Sequence, residues 1–405
     1  MRAPEDNTAR LLLACARPRL DEKHAGAVRS LVARQVDWQL FARAADRHGV
    51  LPLVCRNLEQ VAGQLLPEEE LRRLHSRARR AAARGFALAC ELPPILDLLQ
   101  AHGIRALPFK GPALSTFLYG APFLRQFVDL DVIVAPDDAH RAIDLLLSDG
   151  YAGAHGAAPA NSHRSLISDR RGVNLEIQWN LADRWRLRQS AKGAPLAFEE
   201  LWRRRETVLV CGRPVPTLCA EDMALALCVH GARHGWARLV WLCDFAELAR
   251  SRFDIDWPRV FRLAVTCHCR RRLLLALSLA AGMLETELPP GTEAWRHAQG
   301  AVSRAAARTR RGLLAAPDAD TQPGCASELA GLAFSIAMLD TRRERLRVWL
   351  EFLRRHLRPN DRDQRALRLP PHFAPVYYLV RPARLLATYG LHSAFRLLTA
   401  ATGRL

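Results

Sequence analysis

The chain contains almost no lysine. Of its 59 basic residues other than histidine, only Lys23, Lys110 and Lys192 are lysines, and all the others are arginines. This bias is typical of a GC-rich coding sequence, and the net charge of +18 is spread over many segments with a helical pattern. We therefore do not take the charge alone as a sign of a nucleic-acid or membrane partner. Each of the few lysines, by contrast, becomes a candidate for a specific role.

The chain also lacks long apolar runs and paired cysteines. No apolar stretch approaches about 18 residues without a charge, so no transmembrane segment is predicted. The first residues place acids before a short apolar run, which is not the pattern of a secretory signal. The ten cysteines include no C-x-x-C pair, which indicates reduced thiols rather than a zinc or disulfide framework. These absences predict a globular protein of the cytoplasm.

Hydrophobic periodicity divides the chain into three regions. Residues 1–102 show helical spacing and form a predicted N-terminal helical region, whose last helix we expect Pro93 and Pro94 to kink or split. Residues 103–218 alternate short apolar strands with short helices, and residues 219–405 return to helical spacing. The predicted fold class is therefore α+β, with a small mixed-sheet domain flanked by N- and C-terminal helical regions.

Strands are predicted at four places in the middle region. The first two cover 104–109 and 127–134, and a hairpin is expected around the turn "DRRG" at 169–172. A second small hairpin is expected over 207–218.

Two aspartates interrupt the otherwise apolar strand "FVDLDVIV". Residues two apart in a strand share a face, so Asp129 and Asp131 point the same way. The alternate positions are apolar and are expected to form the buried face: Val128, Leu130, Val132 and Val134. Adjacent carboxylates are costly to desolvate and repel each other unless a cation lies between them. The pattern predicts a site for a hard divalent cation, Mg²⁺ or Mn²⁺, although acids on a solvent-facing edge strand would look the same.

A second strand, "VNLEIQWNL", repeats this alternation. Leu175, Ile177 and Trp179 alternate with polar residues, among them Glu176. If the two strands are neighbours, Glu176 lies on the same face as the aspartates. Three carboxylates could then hold two metal ions that align a nucleophile and a polyphosphate.

Lys110 and Gly111 follow the first predicted strand directly. A glycine at a strand-to-helix turn allows the backbone to approach phosphate oxygens, toward which the next helix also directs its N-terminus. Lys110 would add a point charge for the same phosphate, or else pair with an acid as an ordinary helix-start lysine. Arg125, just before the acid-bearing strand, is a second candidate phosphate ligand.

Together these segments resemble a known family. The residues "LPFKGPAL", "FLYGAPFLRQFVDLDVIV", "LEIQWNL" and "HGARHGW" are similar to those of the uncharacterised bacterial nucleotidyltransferase family, within the polymerase-beta-like nucleotidyltransferase superfamily. The resemblance covers about residues 36–250, and more faintly 375–386. It implies that 103–218 is a nucleotidyltransferase-like domain that uses a nucleoside triphosphate such as ATP.

The resemblance also implies roles for individual residues. Asp129 and Asp131 would bind metal, Glu176 would be a metal ligand or the base for an acceptor hydroxyl, and Gly111 would be the turn glycine near the triphosphate. The family carries K-G where the superfamily usually has G-S, so phosphate contact would come from Lys110 and backbone amides.

His230 and His234 stand four residues apart on a predicted helix and share one face. With Asp244 they could form a metal site, but no further ligand at suitable spacing supports one, and a packed or polar pair that faces the active cleft is favoured. The family resemblance at "HGARHGW" implies that the two histidines line the acceptor pocket. Trp236 and Trp241 are interpreted as core residues rather than as platforms on which a base stacks.

Three functions are compatible with the sequence. The favoured one is metal-dependent transfer of a nucleoside monophosphate from a triphosphate to an unidentified acceptor, with release of pyrophosphate. The alternative is an inactive nucleotidyltransferase fold that acts as a basic RNA- or protein-binding module. Membrane-surface attachment through the Arg-rich C-terminal helices is a weaker possibility.

Overall fold

The computed structural model describes residues 4–154, 162–179, 195–250, 254–292, 300–314, 325–357 and 376–378. Before the sheet, the chain forms five α-helices and a short 3₁₀ turn at Gly63–Leu65: α1 (Pro4–Cys15), α2 (Glu22–Val32), α3 (Trp38–Arg47), α4 (Leu51–Ala62) and α5 (Glu68–Ala101).

The middle region contains the strands. In chain order its elements are β1 (Ala106–Pro108), α6 (Gly111–Tyr119), β2 (Leu130–Val134), a 3₁₀ turn (Pro136–Asp138), α7 (Ala139–Ser148), β3 (Ala152–Gly153), β4 (His163–Ser168), β5 (Val173–Gln178), α8 (Phe198–Arg203), β6 (Glu206–Val210) and β7 (Arg213–Thr217).

The described part of the C-terminal region is helical. It contains α9 (Ala220–Arg233), α10 (Leu239–Ala249), α11 (Trp257–Thr266), α12 (Arg270–Leu284), α13 (Gly300–Leu314), α14 (Cys325–Ala337) and α15 (Arg342–Leu357). The predicted α+β class, with a small mixed sheet between helical flanks, is confirmed.

Five strands form one mixed sheet in the order β1-β2-β5-β4-β3. β2 and β5 are parallel, and the other neighbouring pairs are antiparallel. Both predicted hairpins are present, β4–β5 around the "DRRG" turn and β6–β7 as a separate two-stranded sheet. In the β6–β7 turn, Cys211 and Gly212 both have positive φ, of 50° and 77°. This is the backbone form that matches the twist of a two-residue hairpin.

The long helix α5 departs from expectation. It runs without a break from Glu68 to Ala101 although Pro93 and Pro94 lie inside it, so a split is wrong, and a kink at the two prolines stays a prediction. The second half of the helix is buried through Ala89, Leu92, Pro93, Ile95 and Leu99. Packing of this apolar face outweighs the missing backbone donors of the two prolines.

Two apolar clusters form the core. The larger one combines residues of α1–α4, α6 and α9–α13, so the helices before and after the sheet share one interior. The smaller one packs the sheet against α5 and α7. The expected boundaries near 102 and 218 coincide with the ends of α5 and β7, but the larger cluster extends across both.

A loop between α3 and α4 joins the three regions through backbone hydrogen bonds. The Gly49 carbonyl accepts from the Gln126 amide at 3.1 Å, and the His48 carbonyl accepts from the Val240 amide at 3.0 Å. His48 Nδ1 also accepts from the Leu239 amide at 3.3 Å. Burial lowers the pKa of His48 to about 4, with a further contribution from Arg47. The imidazole therefore stays neutral and keeps Nδ1 available as an acceptor.

The nine cysteines whose side chains are described are free thiols, and seven of them are buried. Cys90 and Cys211 are half-buried, and their sulfurs lie 3.0 Å apart. Over the described ranges, no helix combines the length and hydropathy needed to cross a bilayer.

Candidate active site

Gly111 opens α6 in a conformation that favours glycine. Its φ is +55°, and a Cβ at this position would lie 3.3 Å from the Asp129 carbonyl oxygen. Glycine thus lets the start of α6 pack against the segment that carries the acids. No described side chain caps this helix end, whose preceding residue is Lys110. The predicted strand, glycine turn and helix are therefore present, with α6 ending at Gly120 in the left-handed conformation.

Lys110 turns toward the sheet instead of toward solvent. Its Nζ lies 3.0 Å from Asp131 Oδ1, and only 11% of the lysine side chain is exposed. The ammonium group also lies 4.8 Å from the centroid of the Phe109 ring, which is fully buried. The lysine singled out by its rarity is therefore a buried counter-charge of the acid pair, which matches the alternative of a helix-start lysine paired with an acid.

Asp131 is buried within β2 and has a second partner. Gln178 on β5 donates from Nε2 to the same oxygen, Asp131 Oδ1, at 2.6 Å. Gln178 is fully buried, and its other amide atom, Oε1, has no hydrogen-bond partner among the described residues. The amide orientation follows from charge, because an amide oxygen placed against the carboxylate would be repelled. The sequence pattern placed Gln178 on the polar face but assigned it no role.

Glu176 lies beside Asp131, as the alternation predicted. The parallel pairing of β2 and β5 sets Asp131 opposite Glu176 and Leu130 opposite Leu175, so each pair shares one face of the sheet. Glu176 is half-buried. The strand pattern thus correctly brought an acid from a second strand next to the first.

Asp129 lies outside the strand that was expected to hold it. β2 begins at Leu130, so Asp129 occupies the preceding bend and is half-buried. The expected burial of Val128 is wrong, because 65% of this residue is exposed. Strand pairing starts at Leu130, two residues after Val128, and the alternation of buried and exposed residues therefore does not extend to Val128. Leu130, Val132 and Val134 are buried as predicted.

The two aspartates are close enough to affect each other's ionisation. Burial raises the pKa of Asp129, and the negative charge of Asp131 raises it further, while Lys110 and Arg125 act in the opposite direction. Glu176 lies on the face of Asp131, while Asp129 lies in the bend just before β2. The two aspartates therefore repel each other in a partly desolvated position.

This donor set fits a magnesium-type ion only in part. In the described portion of the chain, no three His, Cys, Asp or Glu side chains converge closely enough to hold one metal ion. Mg²⁺ usually binds one or two carboxylates and completes its shell with water and substrate phosphates. The mutually repelling Asp129 and Asp131 fit that need. Glu176 as a third metal ligand stays a prediction.

Arg125 is committed to a buried ion pair. Its Nε donates to Asp244 Oδ2 on α10 at 2.7 Å, and the Tyr119 hydroxyl donates to the other oxygen, Oδ1, at 2.8 Å. Burial alone would lower the pKa of Arg125, but Asp244 outweighs burial and raises it. Arg125 also bears electrostatically on Asp129. Its predicted contact with phosphate is not tested by this pairing and stays a prediction.

The histidines of "HGARHGW" form a ring cluster with Trp241. The ring centroids of His230 and His234 are 4.7 Å apart, and Trp241 lies 5.1 Å from His230 and 5.3 Å from His234. Trp236 is fully buried, as predicted, whereas Trp241 is only half-buried. Asp244, the possible third ligand of a metal site with the histidines, is bonded to Arg125 and Tyr119 instead.

Two residues of the sequence analysis lie outside the described ranges: Asn180, in the segment "VNLEIQWNL", and Lys192, one of the three lysines.

Comparison with known proteins adds a family to this geometry. A search of curated proteins finds no match. Among solved structures, the chain is similar to an antigenic nucleotidyltransferase-like protein from Paracoccidioides brasiliensis, at 14% identity and a TM-score of 0.34. That likeness covers 50% of this chain and 93% of the other, and at this TM-score we draw no conclusion from it.

A family model described as "Uncharacterised nucleotidyltransferase" matches residues 34–285, which is more than half of the chain. The match includes α3 to α12, and with them the sheet, the acids, Lys110 and the ring cluster. The fainter likeness at 375–386 lies beyond the matched span and mostly outside the described residues. Because this match covers more than half of its length, the chain belongs to the uncharacterised nucleotidyltransferase family.

Proposed function

We propose that the protein transfers a nucleoside monophosphate from a nucleoside triphosphate to an acceptor hydroxyl or phosphate, in the presence of Mg²⁺ or Mn²⁺. The observation that carries this proposal is the pairing of Asp131 with Glu176 on one face of β2 and β5, with Asp129 and Lys110 beside them. Family membership supports a nucleotidyl-transfer role in general. The metal, the base and the acceptor are our inference.

Asp129 and Asp131 would hold the divalent cation. Bound there, it would neutralise charge on the triphosphate and relieve the repulsion between the two carboxylates. Lys110 Nζ, now 3.0 Å from Asp131, would then be free to donate to a phosphate oxygen. The uncapped first turn of α6 would offer backbone N–H groups to the same phosphates.

Glu176 is the candidate base. An acceptor oxygen attacks the α-phosphorus, the bond from that phosphorus to the bridging oxygen breaks, and pyrophosphate leaves. The acceptor's proton passes to the Glu176 carboxylate, which shares the face of Asp131. Gln178 keeps Asp131 oriented by its 2.6 Å hydrogen bond.

Binding of each triphosphate, measured by calorimetry with Mg²⁺ and with Mn²⁺, tests the proposal. The native protein should bind at least one of ATP, GTP, CTP and UTP in a metal-dependent manner. Asp129→Asn and Asp131→Asn should each weaken that binding by about a hundredfold or more, since each removes a charged ligand. Asp137→Asn is the matched control, because Asp137 follows the same strand but is exposed on the 3₁₀ turn.

Incubation of α-labelled triphosphate with small-molecule and protein extracts then identifies the acceptor, through label transfer coupled to pyrophosphate release. The proposal fails if the native protein binds no triphosphate, or if the two aspartate variants bind and turn over like the native protein. Salt-sensitive RNA binding that ignores both substitutions would instead favour the inactive RNA-binding fold.

A further inference from the structure

Three aromatic rings are gathered on one surface of α9 and α10. His230 and His234 lie on successive turns at the end of α9, and Trp241 lies in the first turn of α10. The centroids of the three rings are between 4.7 and 5.3 Å apart, with His230 edge-on to Trp241. His234 is exposed, and the other two rings are half-buried. The cluster therefore presents ring surface to the outside.

A tight turn between the two helices creates this arrangement. Gly235 and Trp236 both adopt the left-handed conformation, with φ of 61° and 54°, and the chain reverses there. Trp236 then packs beneath α9, where a Cβ on Gly231 would come within 2.5 Å of its ring. Because Gly231 has no side chain, Trp236 fills the interior and Trp241 returns over the two histidines. Trp236, which ends the "HGARHGW" segment, is therefore a core residue, whereas Trp241 remains half-buried beside the histidines.

The ring cluster adjoins the cations of the candidate active site. Burial lowers the pKa of His230 well below its usual value, and the charge of Lys110 lowers it further, followed by His234 and Arg125. Asp244 follows Trp241 by three residues on α10, so the two share a helix face, and Asp244 holds Arg125. Lys110 and Arg125, the two side chains expected to contact phosphates, are therefore close enough to His230 to act on its ionisation.

We propose that His230, His234 and Trp241 form the surface on which the nucleobase of the bound triphosphate packs. The inference rests on the proposed function, since it assumes that the triphosphate lies beside Lys110. A base is tethered to its phosphates by one sugar, so rings that border the phosphate-binding cations are within its reach. Aromatic side chains stack on any nucleobase, because every base has a flat face whatever hydrogen-bonding groups it carries. Each stacked base contributes about 1–3 kcal/mol of binding free energy.

A neutral imidazole suits this position. A protonated His230 would add a third positive charge beside Lys110 and Arg125, whereas the neutral ring offers a flat surface without repulsion.

The chain contains a rival surface at Phe86 and Phe123, which are both exposed and meet edge-on at 6.4 Å. Phe123 lies two residues before Arg125, so it also has to be tested.

Parallel titrations with a nucleoside triphosphate and with inorganic tripolyphosphate, both with Mg²⁺, separate the base from the phosphates. Trp241→Leu and His234→Ala should each weaken triphosphate binding by about fivefold to a hundredfold. Both variants should leave tripolyphosphate binding within about twofold of native. His234 is exposed, so His234→Ala preserves a folded protein even if Trp241→Leu disturbs α10. His75→Ala is the matched control, because it removes a half-buried histidine of α5 that is paired with Glu59.

Unchanged triphosphate affinity in both variants would overturn the base-packing surface while leaving the proposed function intact. An equal loss for both ligands would overturn it as well, because the rings would then act on the phosphate site. Selective weakening of triphosphate binding by Phe123→Ala, rather than by the ring-cluster variants, would place the base elsewhere and also overturn it. If the native protein binds neither ligand, the proposed function itself fails.

Discussion

Asp131 and Asp244 are two buried aspartates that use a cation in different ways. Asp131 is 3% exposed and meets Lys110 at 3.0 Å, while Asp244 is fully buried and meets Arg125 at 2.7 Å. The Asp244 pair is completed by the Tyr119 hydroxyl and has one negative charge for one positive. The Asp131 pair has two more acids beside it, Asp129 and Glu176.

This difference shows what separates a structural ion pair from a site prepared for a ligand. Burial raises the pKa of the Asp244 carboxyl, and the bonds from Arg125 and Tyr119 offset part of that increase. At the sheet, Asp129 and Asp131 lie close together, and the pKa of Asp129 remains raised although Lys110 and Arg125 act in the opposite direction. A balanced ion pair gains no stability from a bound cation, whereas a cation bound beside Asp129 and Asp131 would relieve their repulsion.

The largest expected effect comes from breaking the balanced pair. Asp244→Ala leaves the buried Arg125 guanidinium without its partner, and the free energy of unfolding should fall by about 3–5 kcal/mol in urea titrations. Asp97→Ala is the control, because it removes the partner of Arg213 from an exposed pair of similar length, 2.7 Å. That loss should stay below about 1 kcal/mol. Equal losses in the two variants would mean that Asp244 is not a buried structural partner.

An intermediate effect is expected from replacing the whole pair by apolar groups. The triple variant Arg125→Met, Asp244→Leu, Tyr119→Phe removes both charges and the hydroxyl that donates to Asp244. Its stability should recover most of the loss seen in Asp244→Ala, because no buried charge is left unpaired. Triphosphate affinity should nevertheless stay about tenfold to a hundredfold below native, through the loss of a charged hydrogen bond from Arg125 to phosphate.

Calorimetric titration and urea unfolding of this one variant decide the role of Arg125. Native affinity together with recovered stability would make Arg125 purely structural, and its predicted phosphate contact would be wrong.

The smallest expected effect is a change in the stability of Asp129→Asn, which should be more stable than the native protein. The pKa of Asp129 is raised in the folded protein, so the free energy of unfolding falls as the pH rises from the ordinary pKa of 3.8 to the folded pKa, and the cost persists at higher pH. At pH 7, Asp129→Asn should therefore raise the free energy of unfolding, by up to about 1 kcal/mol, while it weakens metal-dependent triphosphate binding by about a hundredfold or more. The gain should shrink as the pH falls below the folded pKa of Asp129, and it should be absent below the ordinary pKa, where the carboxyl is protonated in both states.

Asp131→Asn provides the contrast for this prediction. It removes the charge from the oxygen that accepts from Lys110 and Gln178, so both hydrogen bonds weaken and stability at pH 7 should fall. Urea unfolding between pH 3 and pH 8 measures both variants. A destabilised Asp129→Asn would contradict the unfavourable ionisation of Asp129 beside Asp131.

The local parts of the site could be predicted from the sequence because they depend on short-range rules. Alternation placed Glu176 on the face of Asp131, and the glycine after a strand placed α6 beside the acids. The Lys110–Asp131 contact also joins two residues of neighbouring segments in the chain. These relations follow from strand periodicity and from the conformations open to glycine.

The long-range parts could not be predicted in this way. The Arg125–Asp244 bond joins residues 119 apart in the sequence, and no pattern distinguishes this arginine from the many others. Gln178 reads as one more polar residue until the parallel register of β2 and β5 sets it near Asp131. Pro93 and Pro94 misled the prediction of α5 because tertiary packing of the helix overrides local propensity.

The loop at His48 and Gly49 bears on how such a site could diversify during evolution. Its two carbonyls are bonded to main-chain amides at Gln126 and Val240, and a main-chain bond survives almost any substitution of the residues that make it. Gly49 is the exception, since its φ is +75° and a Cβ there would lie 3.1 Å from Val240. Side chains near the sheet and the ring cluster can therefore be exchanged without loss of the two main-chain bonds that connect this loop to both.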